Sequence, residues 1–259
     1  MKNDITRIDC HNHCVSESGR WPCVDIVVAN ARKMGIESTC CSHPITTEAP
    51  SPEGFRKGND DILACMERYP DEILGQCFVN PGYGQEALDE IDRCVVGGGM
   101  VGVKLYHQYR IDEPVQYPVI EKCIELGVPI LMHAGHSAVS GGMPGQPRLS
   151  GGEHFAEVAR RYPEAMLICA HIGGGGDWEW QIKALREADS VYLDTSGSVI
   201  DAGMIERCVR DLGADRLLFA TDMNLGRGMG KLVEADIDEE EREEIFGQNF
   251  EQILEKRNV

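Results

Sequence analysis

Eight short apolar runs, each of strand length, alternate with segments of helical period from one end of this 259-residue chain to the other. The runs fall at 5–13, 36–42, 73–79, 100–106, 129–133, 166–171, 190–195 and 216–221. Helical segments lie between them, as at Val24–Met34, Gln85–Val95, Val119–Leu126 and Glu153–Arg161. A strand followed by a helix returns to its sheet in parallel, and eight such units close on themselves in about 250 residues. The expectation is α/β: one (β/α)8 barrel domain over residues 1–259. Gly35, Gly127 and Gly213 each stand directly before a strand, where a left-handed helix end favours glycine. The last helix opens on Asp238-Glu239-Glu240-Glu241, which suits a helix N-terminus, and continues with Ile245, Phe246, Phe250, Ile253 and Leu254 as its apolar face.

The ends of these strands carry the chemistry. The first finishes Ile8-Asp9-Cys10-His11-Asn12-His13, and residues two apart on a strand point the same way, so both imidazoles can reach one cation. A lone pair of histidines at this spacing is equally well two polar side chains at a strand end. Two further runs finish in histidine, Ile130-Leu131-Met132-His133 and Leu167-Ile168-Cys169-Ala170-His171, and one in aspartate, Leu217-Leu218-Phe219-Ala220-Thr221-Asp222. With only 8 histidines in the chain, four at strand ends point to a shared partner. Apolar strands ending in ionisable groups need something to satisfy those groups, and one or two divalent cations satisfy them together. Mixed histidine and carboxylate ligation suits zinc (Zn2+) best, with Mn2+, Fe2+ or Co2+ as alternatives, and disfavours magnesium and calcium. A bound metal lowers the pKa of its water from about 15.7 to about 7. Asp222 is then the natural acid and base.

Other residues carry weaker signals. Lys104, ending the fourth run, is read three ways: reaching the rim, binding a substrate carboxylate, or bridging two metals as a carbamate. His43, His107 and His136 follow strands, and loop histidines are commonly solvated; His136, Tyr106 and Arg227 are nonetheless candidates to touch substrate, with Arg110 as a second arginine for an anion. His154 reads as structural, and Trp178 and Trp180 as packing residues. The run Gly173-Gly174-Gly175-Gly176 lacks the lysine of a phosphate loop and reads as a tight turn beside His171. The stretches 42–59 and 135–152 are expected as loops at the same end of the barrel, deciding substrate choice. Cys10 and Cys14 are expected to point away from the face of His11 and His13. The remaining cysteines, of 11 in all, read as buried thiols in a reducing compartment.

A net charge of −18 would repel nucleic acid and anionic membranes, both bound through clustered Lys and Arg. No apolar run of spanning length occurs, and Met1-Lys2-Asn3-Asp4 lacks the apolar core of a signal peptide. A cytoplasmic protein acting on a small molecule is expected. Barrels of this kind often pair through their outer helices, so a homo-oligomer is compatible with the chain.

The motifs IDCHNH (8–13), GVKLY (102–106), PILMHAG (129–135), AHIGG (170–174), LLFATDMN (217–224) and IFGQNFEQIL (245–254) together resemble the amidohydrolase-related, or amidohydrolase 2, family of TIM-barrel metal-dependent hydrolases. The resemblance implies that His11, His13 and His133 bind metal, that Asp222 is both ligand and catalytic acid or base, and that His171 binds a second metal or polarises the substrate. Lys104 joins Asp222 and His171 as a catalytic candidate. Members of the family hydrolyse amides, esters and lactones, and others decarboxylate small carboxylic acids. Compared with the longer decarboxylases, this chain has a short connection from Asp222 to the last helix, which favours hydrolysis. A metal-dependent decarboxylase is the alternative, and a non-catalytic metal-binding barrel a third. The glutamate-rich strand of related nucleases is absent.

Overall fold

The structure is a computed structural model describing residues 5–44, 50–136, 146, 148–172 and 174–259. All eight expected strands are present: β1 (Ile8–His13), β2 (Ser38–Ser42), β3 (Ile73–Phe78), β4 (Gly102–Leu105), β5 (Ile130–Met132), β6 (Leu167–Cys169), β7 (Val191–Asp194) and β8 (Leu217–Leu218). They form one parallel sheet in sequential order. Cys10 N donates to Phe219 O at 3.0 Å and Asp222 N to His11 O at 2.8 Å, joining β8 back to β1. The helices are α1 (Val24–Lys33), α2 (Pro52–Arg68), α3 (Gln85–Ile91), α4 (Tyr117–Leu126), α5 (Gly152–Arg161), α6 (Trp178–Leu185), α7 (Met204–Leu212), α8 (Leu225–Val233), α9 (Glu239–Glu243) and α10 (Asn249–Leu254). No helix among the described residues is long and apolar enough to cross a membrane.

Two apolar layers follow from strand alternation. Outward-facing Val103, Leu105, Ile130, Met132, Leu167, Cys169, Val191 and Leu193 pack under the helices. Inward-facing Ile8, Cys10, Cys40, Leu131, Ile168, Leu218 and Ala220 fill the barrel, with Phe250 and Ile253 of α10 in the same cluster. The acidic run before α9 forms a capping box: Asp238 Oδ1 accepts from Glu241 N at 2.9 Å and Glu241 Oε2 from Asp238 N at 3.0 Å.

Two expectations change, and a third falls in part outside the described residues. Residues 52–59, read as loop, are the first turns of α2, since Ser51 caps the helix and Pro52 fits its first position. Residues 45–49, most of 135–152 and Gly173 lie outside the described residues. Gly127 ends α4 in the left-handed conformation, φ 65°, but Gly213 combines φ 95° with an extended ψ of 148°, so it is not a left-handed cap. All 11 cysteines are buried and free.

Candidate active site

Alternation alone delivers some of the site. Leu131 faces the interior, so His133 two residues on does too; Leu218 and Ala220 likewise lead to Asp222, and Lys104 lies in register with Leu131. It does not deliver His11, His13 or His171, whose parity is that of the other face. In β1 the register against β2 shifts between Asp9 and Asn12. A bulge of this kind re-aims side chains, and Cys10 and His11 both turn inward. The expected separation of Cys10 from the histidine face therefore fails, while Cys14 lies in the outer layer. After β6, His171 takes φ 60°, a conformation uncommon for residues other than glycine, and so swings into the barrel. Gly175, φ 83°, packs the following turn so closely that a Cβ would stand 2.1 Å from His136 O, as expected for a tight turn beside His171.

The imidazoles are oriented from behind. His11 Nδ1 donates to Asp194 Oδ2 at 2.8 Å, leaving the Nε2 lone pair to face Asp222 Oδ1 at 3.8 Å. His13 Nδ1 donates to the Ser42 carbonyl at 3.1 Å, leaving Nε2 3.4 Å from Asp222 Oδ1 and 3.3 Å from the Tyr106 hydroxyl. Ser196 Oγ donates to Asp194 Oδ1, and His171 Nδ1 lies 2.8 Å from that same hydroxyl oxygen and 3.7 Å from Asp222 Oδ2. His171 Nε2 meets His133 Nδ1 at 2.9 Å, and His133 Nε2 meets Gln146 at 2.9 Å. Lys104 Nζ, fully buried, donates to His11 Nε2 at 2.8 Å.

Electrostatics follow the burial. Desolvation holds His11, His13 and His133 below the usual imidazole range and brings His171 to about 4, so these side chains present neutral lone pairs. Burial works against the Asp222 carboxylate, but His13, His171 and His11 outweigh it and hold the carboxyl well below its usual range. Burial also brings Lys104 down to about 8, against the pull of Asp222 and Asp194, and pushes the Tyr106 phenol up.

The donor set fits a divalent cation. Ligand atoms of His11, His13 and Asp222 all lie within 4.8 Å of one another. A second group, His11, His171 and Asp194, meets the same limit. Asp194, however, is committed: its oxygens already accept from His11 Nδ1, His171 N and Ser196 N and Oγ. It fixes the tautomer of His11, a candidate ligand, as an outer partner would. A positive charge, the Lys104 ammonium, already rests on the His11 lone pair.

Among the other candidates, Arg227 lines the roughly 190 Å³ cavity in front of the site together with His133, Gln146, His171, Ser198 and Asp222. His136 does not join the cluster: it stacks on Trp180, 5.7 Å between ring centres. Trp180 is 53% exposed and so is no packing residue, whereas Trp178 packs against the outer apolar layer as expected and donates to Asp201. Arg110 faces Asp112, and His154 caps its own helix by accepting from Gly151 N. The sequence reading missed Asp194, although it too ends an apolar strand and the rule that found Asp222 would have found it. It also missed Asp9 and Asn12. Asp9 accepts from His11 N, Asn12 Nδ2, Thr221 N and Thr221 Oγ1, while Asn12 Oδ1 accepts from Met223 N at 3.1 Å. Burial pushes Asp9 up to about 7 despite those donors. These bonds clamp the end of β8, where Asp222 and Met223 hold φ of 44° and 66°, to β1.

Replacing Asp194 by Asn is expected to weaken metal binding by about 10–100-fold, as for outer partners of ligating histidines, with the fold retained. Titration of the metal-free variant with Mn2+ beside the wild type checks this; equal affinities would remove Asp194 from the site.

The amidohydrolase family model, Amidohydro_2, matches residues 8–255. Over 151 residues the chain is 22% identical to 2-amino-3-carboxymuconate-6-semialdehyde decarboxylase of Dictyostelium discoideum, covering 52% of this chain and 42% of that protein. It is 24% identical over 258 residues to gamma-resorcylate decarboxylase of Polaromonas sp., covering 78% and 76%. A crystal structure of dihydroxybenzoic acid decarboxylase from Polaromonas sp., with bound manganese and the inhibitor 2-nitroresorcinol, superposes with a TM-score of 0.75 at 19% identity over 96% of this chain and 97% of that one.

Proposed function

This chain belongs to the amidohydrolase family, and from that premise we propose that it is a divalent-metal-dependent, non-oxidative decarboxylase of a carboxylic acid. The observation that carries the reading is the convergence of the His11 and His13 lone pairs on the Asp222 carboxylate, with His171 on its far side. The hydrolysis favoured by the chain's compactness gives way to the alternative, because both curated relatives carry decarboxylase names.

In this reading His11, His13 and Asp222 hold the metal, with His133 completing the ring of imidazoles through His171. The bound cation supplies positive charge that fixes the substrate carboxylate and steadies the electrons left when carbon dioxide departs. Its mixed nitrogen and oxygen ligands accept zinc or manganese, and the manganese of the Polaromonas structure makes that ion the first to test. Decarboxylation breaks the bond between the carboxyl carbon and its neighbour; the electron pair stays on the neighbour, which must then take a proton. Asp222, a carboxylate at rest, takes that proton from water in the cavity and delivers it, its oxygens lying between His13 and His171 and its side chain 33% exposed. His171, backed by Ser196, exchanges the proton with it. Lys104 contributes buried positive charge beneath the substrate, and the Tyr106 hydroxyl remains a neutral donor.

The test is a reaction of manganese-loaded protein with 2,6-dihydroxybenzoate and other small aromatic acids in deuterated, ¹⁸O-labelled water. Carbon dioxide release, with solvent hydrogen but no ¹⁸O in the remaining organic product, is the expected result. Incorporation of ¹⁸O on cleavage of an ester, lactone or amide, with no carbon dioxide from any acid, would restore hydrolysis.

A further inference from the structure

The cavity before the metal ligands is small, about 190 Å³, against about 300–1,000 Å³ for most small-molecule sites. It adjoins, at Arg227, a second cavity of about 560 Å³ between the start of α7 and the length of α8. Arg227 lines both. The larger space is walled by Ile200, Ala202, Met204 and Ala235, with Gly226 and Gly230 on the α8 side.

The polar groups around this trough are largely engaged, Glu234 excepted. Asp201 accepts from Trp178 Nε1 at 2.8 Å and Glu206 from Asp236 N at 3.0 Å. Lys231 donates to three carbonyls, of Thr195, Ser196 and Gly197. Arg227 is different: among the described residues no side-chain hydrogen bond or ion pair engages its guanidinium, and it lines both cavities.

The glycines of α8 divide in a way that agrees with an occupant. At Gly228 a Cβ would stand 2.7 Å from Ala220 O, so packing against β8 demands glycine there. At Gly226 and Gly230 a Cβ would meet nothing within 4 Å, and neither has a positive φ. Glycine weakens a helix, and nothing inside the protein accounts for these two.

We propose that the substrate is bipartite: its carboxylate lies at the junction, between Arg227 and the metal ligands, and an apolar body extends from it along the trough between α7 and α8. The inference rests on the decarboxylase reading for the fate of the carboxylate, and adds that the natural acid is larger and more apolar than a dihydroxybenzoate. An apolar body is stabilised by leaving water along Ile200, Ala202 and Met204, and bare backbone at Gly226 and Gly230 lets it approach α8 closely. The carboxylate supplies the partner that Arg227 lacks.

The experiment is calorimetric titration of the manganese-loaded full chain with acetate, butanoate, hexanoate and octanoate. Affinity is expected to rise about fourfold for each methylene that enters the trough. Gly230→Leu fills the space with a good helix former and should flatten the series while leaving acetate affinity and metal content at wild-type values. Ile200→Asp, at a side chain 68% exposed and thus harmless to the core, should weaken octanoate and spare acetate. Arg227→Met should weaken every acid by a similar factor of at least about ten. A flat series in the wild type, or a length dependence that survives both trough substitutions, overturns the proposal. Binding is read without turnover, so the two readings fail separately. Length-dependent binding with no carbon dioxide from any acid removes the decarboxylase and keeps the trough, whereas carbon dioxide from 2,6-dihydroxybenzoate with a flat series does the reverse.

Discussion

Asp222→Asn is expected to lower turnover by about two to four orders of magnitude, the range a positioned proton-transfer group contributes, while far-UV circular dichroism and melting temperature stay close to wild type. The amide keeps the size and hydrogen-bonding reach of the carboxylate but cannot carry the proton that the proposed decarboxylation requires. Asparagine is also the conservative choice for the backbone, because Asp222 sits at φ 44°, where asparagine is among the better tolerated residues. The proton role and the ligand role must be separated, since Asp222 Oδ1 faces both His11 and His13. Metal per chain is therefore measured on the sample used for kinetics. Loss of turnover with metal retained assigns the proton to Asp222. Full metal and turnover within tenfold of wild type would assign it elsewhere, with His171 next in line.

The second large effect is on the metal itself. His11→Ala should bind Mn2+ more weakly by more than the 10–100-fold expected for losing only an outer partner, and metal-dependent turnover should vanish with it. His11 is fully buried, and its two ring nitrogens touch Asp194 and Lys104 at 2.8 Å each. The substitution thus leaves a cavity and two charged groups without their shared partner, and some loss of stability accompanies the loss of metal. His13→Ala is the cleaner companion, since its removal leaves no buried charge pair facing a gap. Elemental analysis of both variants, beside wild-type protein stripped with a chelator and reloaded, gives the answer. The wild type regains activity on reloading and neither variant does. Wild-type metal content in both variants would sink the site described here and the reaction built on it.

Much of this centre was legible before any coordinates. Apolar strands that stop at an ionisable residue found Lys104, His133, His171 and Asp222, and the two-residue spacing found His11 and His13. Asp194 obeys the same rule, but its strand ends Leu193-Asp194-Thr195 without a histidine, so the signal there is weaker. Asp9 and Asn12 bond each other locally, but what gives them a role at the site is distant. Their long-range partners, Thr221 and Met223, lie more than two hundred positions away along the chain. The start of α2 has a local signal, the helix opening Ser51-Pro52, but it is set inside a stretch whose composition reads as loop.

What the sequence determined by itself was the barrel and the strands that bear its chemistry, because periods of two and of 3.6 residues are local properties that any parallel packing must respect. Tertiary structure decided which way the decisive side chains face. Counted strictly by alternation, His11, His13 and His171 belong to the outer surface; a register shift in β1 and a positive φ after β6 bring them in. It also decided tautomers and charge, through Asp194 meeting His11 across 183 residues and through burial that strips the imidazoles of their protons. Those outcomes depend on long-range contacts and on exclusion of water, which exist only once the eighth strand has closed on the first.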